Sequence, residues 1–172
     1  MALAAPAEAF THLHVASSYS LRYGTATPRA LAARAADLGM PALALTDRDG
    51  LYGAFKHVQA CADAGIKPLL GVDLPLLTPD AMSPKTGRVT LLAVGRQGWA
   101  SLCRLVSAAH AAPAAAARAA DDDVPAVTPE LVAEHAAGLI VLLGPASDVG
   151  RAVAARRRDL ARQRLGGWAG RR

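Results

Sequence analysis

Apolar residues in this chain come in short continuous runs, separated by stretches with helical spacing. The runs at 10–15, 42–47, 67–77, 88–95 and 138–144 predict five strands, with Pro75 marking the edge or end of the third. Between them, Thr27 before Pro28 predicts a helix start, and Gly39 predicts its stop. Leu51, Phe55, Val58 and Cys61 recur as one apolar helical stripe that ends at Gly65. Trp99, Leu102, Val106 and Ala109 form another. Thr128-Pro129-Glu130 repeats the cap-and-proline start of a short helix ended by Gly138, and a last helix runs from near Ser147 into the arginine-rich end. Residues 111–123, alanine-rich and then Asp121-Asp122-Asp123, predict a surface loop.

Near-continuous apolar strands alternating with helices predict an α/β fold, a parallel sheet covered by helices. About five parallel β/α units suit an open doubly wound sheet or part of a closed barrel, and a full barrel needs more strands. No internal repeat is present. Hydrophobic residues make up 52% of the 172 residues and aromatics 4%, so the core must be built from Leu, Val and Ala. No apolar run approaches the ~20 residues of a membrane span, and residues 1–9 lack the layout of a signal peptide. Cys61 and Cys103 are isolated, which fits a reduced, cytoplasmic protein. The net charge of +5 is local: residues 151–172 hold eight arginines and one acid, leaving the rest, with 11 basic and 13 acidic residues, at −2. The ordinary reading of that end is a solvated arginine-rich helix, weak evidence for nucleic-acid binding.

His12 and His14, at i and i+2 on an apolar run, project to one face of an extended segment. Asp47 closes the second run. Strand-end His and Asp side chains meeting at one rim are a common way to hold metal ions. The plainer alternatives are hydrogen-bonded strand histidines and a turn or capping aspartate. Asp73 sits inside an apolar strand, where an unpaired carboxylate is costly, so a cation, donor or metal must face it.

His12-Leu13-His14, Tyr19-Ser20-Leu21, the run from Gly39 to Asp47, Leu51-Tyr52-Gly53 and the run from Gly65 to Gly71 arrive in an order and spacing that carry a resemblance. Together with residues 89–93 and 138–144, they resemble the PHP (polymerase and histidinol phosphatase) domain that begins bacterial DNA polymerase III alpha subunits. The likeness is to the error-prone, actinobacterial-type branch, and it covers most of residues 10–150. The resemblance implies a distorted (β/α)7 barrel, here incomplete, with up to three metal ions at the strand C-termini. In active members such ions bind phosphate oxygens and activate water. The organisation expected is an extension at 1–9, the PHP-like domain at 10–150 and an Arg-rich tail at 151–172.

Carried over position by position, His12 and His14 match the first metal-binding pair. Asp47 matches the aspartate of the usual Thr-Asp-His, and Asp73 stands where glutamate is usual. Four positions depart from the pattern: Tyr23 for an acid, Arg48 for a histidine, Arg88 for a histidine, and Pro145 where a cysteine follows Gly144. A guanidinium is cationic and cannot deprotonate, so it opposes a metal cluster. The expected outcome is an arginine paired with Asp47 or Asp73 in place of the ion. The late Asp-x-His and the polymerase palm are absent from these 172 residues, which implies a truncated, marginally stable barrel unable to polymerise DNA alone. The function expected is therefore structural, with a degenerate metal site formed by His12, His14, Asp47 and Asp73. No catalytic residue and no cofactor are expected, the partner is a polymerase core, DNA is contacted only indirectly, and no membrane is involved. The alternative is a metal-dependent phosphoesterase or 3′–5′ exonuclease holding Zn or Mn on those four residues. A histidinol-phosphate-type phosphatase ranks last, because it needs the full ligand set.

Overall fold

The structure, a computed structural model, describes residues 10–77, 87–111 and 125–170. Among these, β1 (Ala42–Arg48), β2 (Lys67–Leu76), β3 (Gly87–Ala93) and β4 (Leu139–Leu142) form one sheet in the order β1-β2-β3-β4. The helices are α1 (Pro28–Asp37), α2 (Ala54–Asp63), α3 (Gly95–Ala111), α4 (Pro129–Glu134), α5 (Asp148–Ala154) and α6 (Arg158–Ala169). The predicted caps hold: the Thr27 hydroxyl accepts from the Ala30 N–H at 3.3 Å, and the Thr128 hydroxyl from the Leu131 N–H at 3.2 Å. Gly39 and Gly65, at φ +71° and +70°, supply the left-handed residue that ends α1 and α2.

Val72, Leu74 and Leu76 of β2 and Val89 and Leu91 of β3 pack with Leu102, Leu105 and Ala109 of α3 into the main core. Full burial of one such side chain contributes roughly 1.5–3 kcal/mol. A smaller cluster, Ala32, Ala60 and Cys61, joins α1 to α2. Pro75 lies beyond the last β1–β2 pair, Arg48 with Asp73, so its missing N–H removes no bond from that ladder.

Four expectations change. The sheet is mixed: β1 and β2 are parallel, but β2–β3 and β3–β4 are antiparallel. Only ten residues, 77–86, separate β2 from β3, fewer than a parallel crossover needs. Residues 10–15 are not a strand. They run extended beside β1, with the Ala44 N–H donating to His12 O at 3.0 Å and the Thr46 N–H to Val15 O at 2.8 Å. The Thr46 hydroxyl takes the Val15 N–H at 3.0 Å, so a side chain interrupts the ladder. The buried face of α2 is Ala54, His57, Ala60 and Cys61, whereas Phe55 and Val58 are exposed. Burial of His57 is possible because its ring N–H donates to Leu43 O at 3.0 Å. The last helix is two, broken at Arg156. The predicted 111–123 loop falls on residues outside those described, apart from Ala111, which ends α3.

Candidate functional site

Alternate residues of a strand point to opposite faces, and the register decides which of Asp47 and Arg48 meets Asp73. Asp47 pairs with Val72 and Arg48 pairs with Asp73. Asp47 therefore turns to the helix-covered face. There its carboxylate accepts from the Ser17 N–H at 2.7 Å, the Ser17 hydroxyl at 2.9 and 3.0 Å, and the Ser20 hydroxyl at 2.8 Å. The Ser20 hydroxyl in turn accepts from the Arg48 N–H at 2.9 Å. This latch fastens the loop after the His-x-His segment to the end of β1. Gly53 is part of it, since a Cβ at that position would collide with the Asp47 carboxylate. Nearby His57 stays in its neutral form more readily than usual, because burial pushes its pKa down.

Asp73 occupies the opposite face. Its Oδ2 accepts from Arg88 Nε at 2.7 Å, lies 3.7 Å from Arg48 Nε, and lies 3.8 Å from His14 Nε2. Arg88 also donates to Asp73 O at 2.8 Å and to Asp49 Oδ1 at 2.8 Å. The Arg48 guanidinium stacks on Tyr23, its Cζ 3.4 Å from the ring centroid. His110, in the last turn of α3, donates from Nε2 to Asp49 O at 2.8 Å. Burial pushes the Asp73 carboxyl up, but His14 and Arg88 outweigh that and leave it below its usual value. Of those two, only the Arg88 contact is within hydrogen-bond distance. Burial likewise works against the Arg88 charge, and Asp73 and Asp49 more than restore it.

Two of the four departures from the family pattern, Arg48 and Arg88, thus converge on one carboxylate, and a third, Tyr23, stacks on Arg48. The fourth, Pro145, lies in the exposed turn before Ser147, which caps α5; the neighbouring Ala146 O accepts from the Arg88 N–H at 2.9 Å. Of the predicted ligands, His14 and Asp73 come together. The exposed His12 ring packs edge-on against Phe10, with centroids 4.9 Å apart, and Asp47 is in the latch. Asp49 and His110 escaped the sequence reading. Asp49 sits in a turn sequence with φ +65°, ordinary for an aspartate, and His110 lies 61 positions further along the chain.

A structural or catalytic zinc takes three or four N, S or O donors. Among the described residues, no group of three or more His, Cys, Asp and Glu side chains is placed to hold an ion. The acid that would ligate already faces two guanidiniums, which bring positive charge and no lone pair. The residues present do not fit the family's metal cluster. What they make is a charge-balanced network, two acids with two arginines, tying the end of β1, the body of β2, the start of β3 and the last turn of α3 together.

The sequence matches the PHP domain family over residues 12–170, a span that takes in α5 and α6. An error-prone DNA polymerase of Mycobacterium bovis is 39% identical over 107 residues, 60% of this chain and 10% of that protein. The DNA polymerase III alpha subunit of Xylella fastidiosa is 34% identical over 173 residues, 92% of this chain and 14% of that one. An amidohydrolase structure from Chromobacterium violaceum, with bound sulfate and no metal, superposes with a TM-score of 0.47 at 27% identity, over 58% of this chain and 33% of that one. The chain spans 9–14% of the length of the curated polymerases it matches. With the ordered His-x-His, Thr-Asp and strand motifs in place, the family match extends over nearly the whole sequence, and the chain belongs to the PHP domain family.

Proposed function

We propose that this chain is the PHP unit of a DNA polymerase III alpha-like polymerase of the error-prone type, that its strand-tip cluster is structural, and that it has no polymerase activity by itself. The observation that carries the reading is the 2.7 Å contact of Arg88 Nε with Asp73 Oδ2, reinforced by Arg48. A guanidinium there neutralises the buried acid permanently, whereas an ion does so only when bound. The partner is a cytoplasmic polymerase core, which the rigid network would support. The test is elemental analysis of the dialysed full chain, with a hydrolysis assay on bis(p-nitrophenyl) phosphate in added Mn²⁺ or Zn²⁺. The expected result is substoichiometric metal and a rate equal to the protein-free blank. Two or more tightly held divalent ions, or hydrolysis abolished by His14→Ala, would overturn it.

A second reading, a metal-dependent phosphoesterase or 3′–5′ exonuclease on His12, His14, Asp47 and Asp73, has one observation in its favour. Asp73 Oδ1 is buried with no hydrogen-bond partner among the described residues, beside a half-exposed His14. That oxygen is the place an ion would first engage, and the same elemental analysis decides between the readings.

A further inference from the structure

Most of the arginine-rich end lies in the corner between α5 and α6, and the way that corner is built points outward. α5 closes with the Arg157 N–H on Ala152 O and the Arg156 N–H on Val153 O, both at 2.9 Å. In that closing arrangement the left-handed residue is usually glycine. Here it is Arg156, at φ +57°. A charged side chain is thus kept at a position that favours none, which turns the chain so that Arg157 and Arg158 follow at once on the outside of α6. Inside the corner, Arg164 donates to Asp148 O at 2.9 Å and the Trp168 indole N–H to Asp148 Oδ1 at 3.2 Å, so α6 is anchored on the start of α5. The outer ridge of α6 then runs Arg158, Arg162, Gly166 at four-residue spacing. Nothing lies within 4 Å of where a Gly166 Cβ would be, so the ridge ends in open space. Arg156, Arg157, Arg158 and Arg162 are all exposed, and the acid among them is Asp159, 3.9 Å from Arg162 and fully exposed.

We infer that the α5–α6 corner, through Arg156, Arg157, Arg158 and Arg162, is a docking surface for the sugar–phosphate backbone of DNA. Four exposed guanidiniums within seven residues of one helical corner match a row of phosphates by charge and by their planar donor geometry. The ridge carries no exposed aromatic wedge, since Trp168 is turned inward to Asp148, so the contact is with backbone rather than with stacked bases or a lipid core. The choice of DNA over another polyanion rests on the functional reading above. The contact itself does not, because metal content and hydrolysis are measured independently of it.

The test is fluorescence anisotropy of the full chain with a labelled 20-bp duplex across a salt series. Neutralising three to four phosphates gives a slope of log affinity against log salt of about −3. The triple substitution Arg157→Gln, Arg158→Gln, Arg162→Gln should weaken binding about tenfold or more at low salt and flatten the slope by about 2–3. Arg29→Gln with Lys56→Gln removes exposed positive charge from α1 and α2, outside the α5–α6 corner, and should leave affinity within about twofold. Arg156→Gly separates fold from contact. It relieves the backbone, so the melting temperature should rise while affinity falls, and it decides the matter even if the triple variant fails to fold. A wild-type slope shallower than about −1, equal loss from the Arg29 and Lys56 pair, or tighter binding to phosphatidylserine vesicles than to DNA would overturn the inference.

Discussion

Asp47, next to last in β1, and Asp73, inside the neighbouring β2, are each 2% exposed, yet they are held in opposite ways. Asp47 is surrounded by neutral donors, one backbone N–H and two serine hydroxyls, all supplied by the loop that follows the histidines. Asp73 is surrounded by full charges, Arg88 in contact and Arg48 just beyond. The first arrangement fastens a loop; the second fills a rim with fixed cations. A buried carboxylate needs either dipoles or charge, and these two neighbours receive one each.

The largest expected effect breaks the charged side. Arg88→Met leaves Asp73 buried beside the more distant Arg48 and should cost about 3 kcal/mol in urea denaturation. Adding Asp73→Asn should recover much of that loss, and a double-mutant cycle showing simple additivity would refute the pairing. Next in size is the neutral side. Asp47→Ala orphans the Ser17 N–H and two hydroxyls and should cost about 2 kcal/mol, with faster amide exchange at Ser17 and Arg48 but no change at Arg88. Equal exchange at both sites would mean that the two pockets form one cooperative unit.

The smallest effect sharpens the comparison through pH. Burial lowers the folded pKa of His57 below its unfolded value of 6.5. As pH falls past 6.5, the unfolded chain takes up a proton that the folded chain resists, so stability declines from there downward. Asp73 is also lowered in the folded state, so its contribution is present above the unfolded value of 3.8 and is lost as pH falls through the folded one. Two limbs are expected in a plot of stability against pH, the upper removed by His57→Gln and the lower by Asp73→Asn. A single limb that survives both substitutions would place the acid sensitivity elsewhere.

Much of this was legible beforehand. The caps at Thr27 and Thr128 and the stop at Gly65 act through contacts within a few residues, so local sequence suffices. The need for a cation, donor or metal at Asp73 followed from an acid in an apolar run, and the arginine as candidate followed from the resemblance, through its departures at Arg48 and Arg88. The sheet direction between β2 and β3 was legible only in the shortness of residues 77–86. The buried face of α2 was misread because His57, a polar residue, holds the position that periodicity reserves for an apolar one.

The residues themselves settled where the four strands lie, where the helices capped by Thr27 and Thr128 begin, and that a carboxylate would need company, because those are consequences of backbone chemistry and of the cost of burying charge. Only the three-dimensional arrangement decided that Asp47 faces the serines while its neighbour Arg48 faces Asp73, and that Arg88 spans Asp73 and Asp49. A one-residue step along a strand reverses a side chain's face, and that parity has no meaning until the register with the neighbouring strand is set.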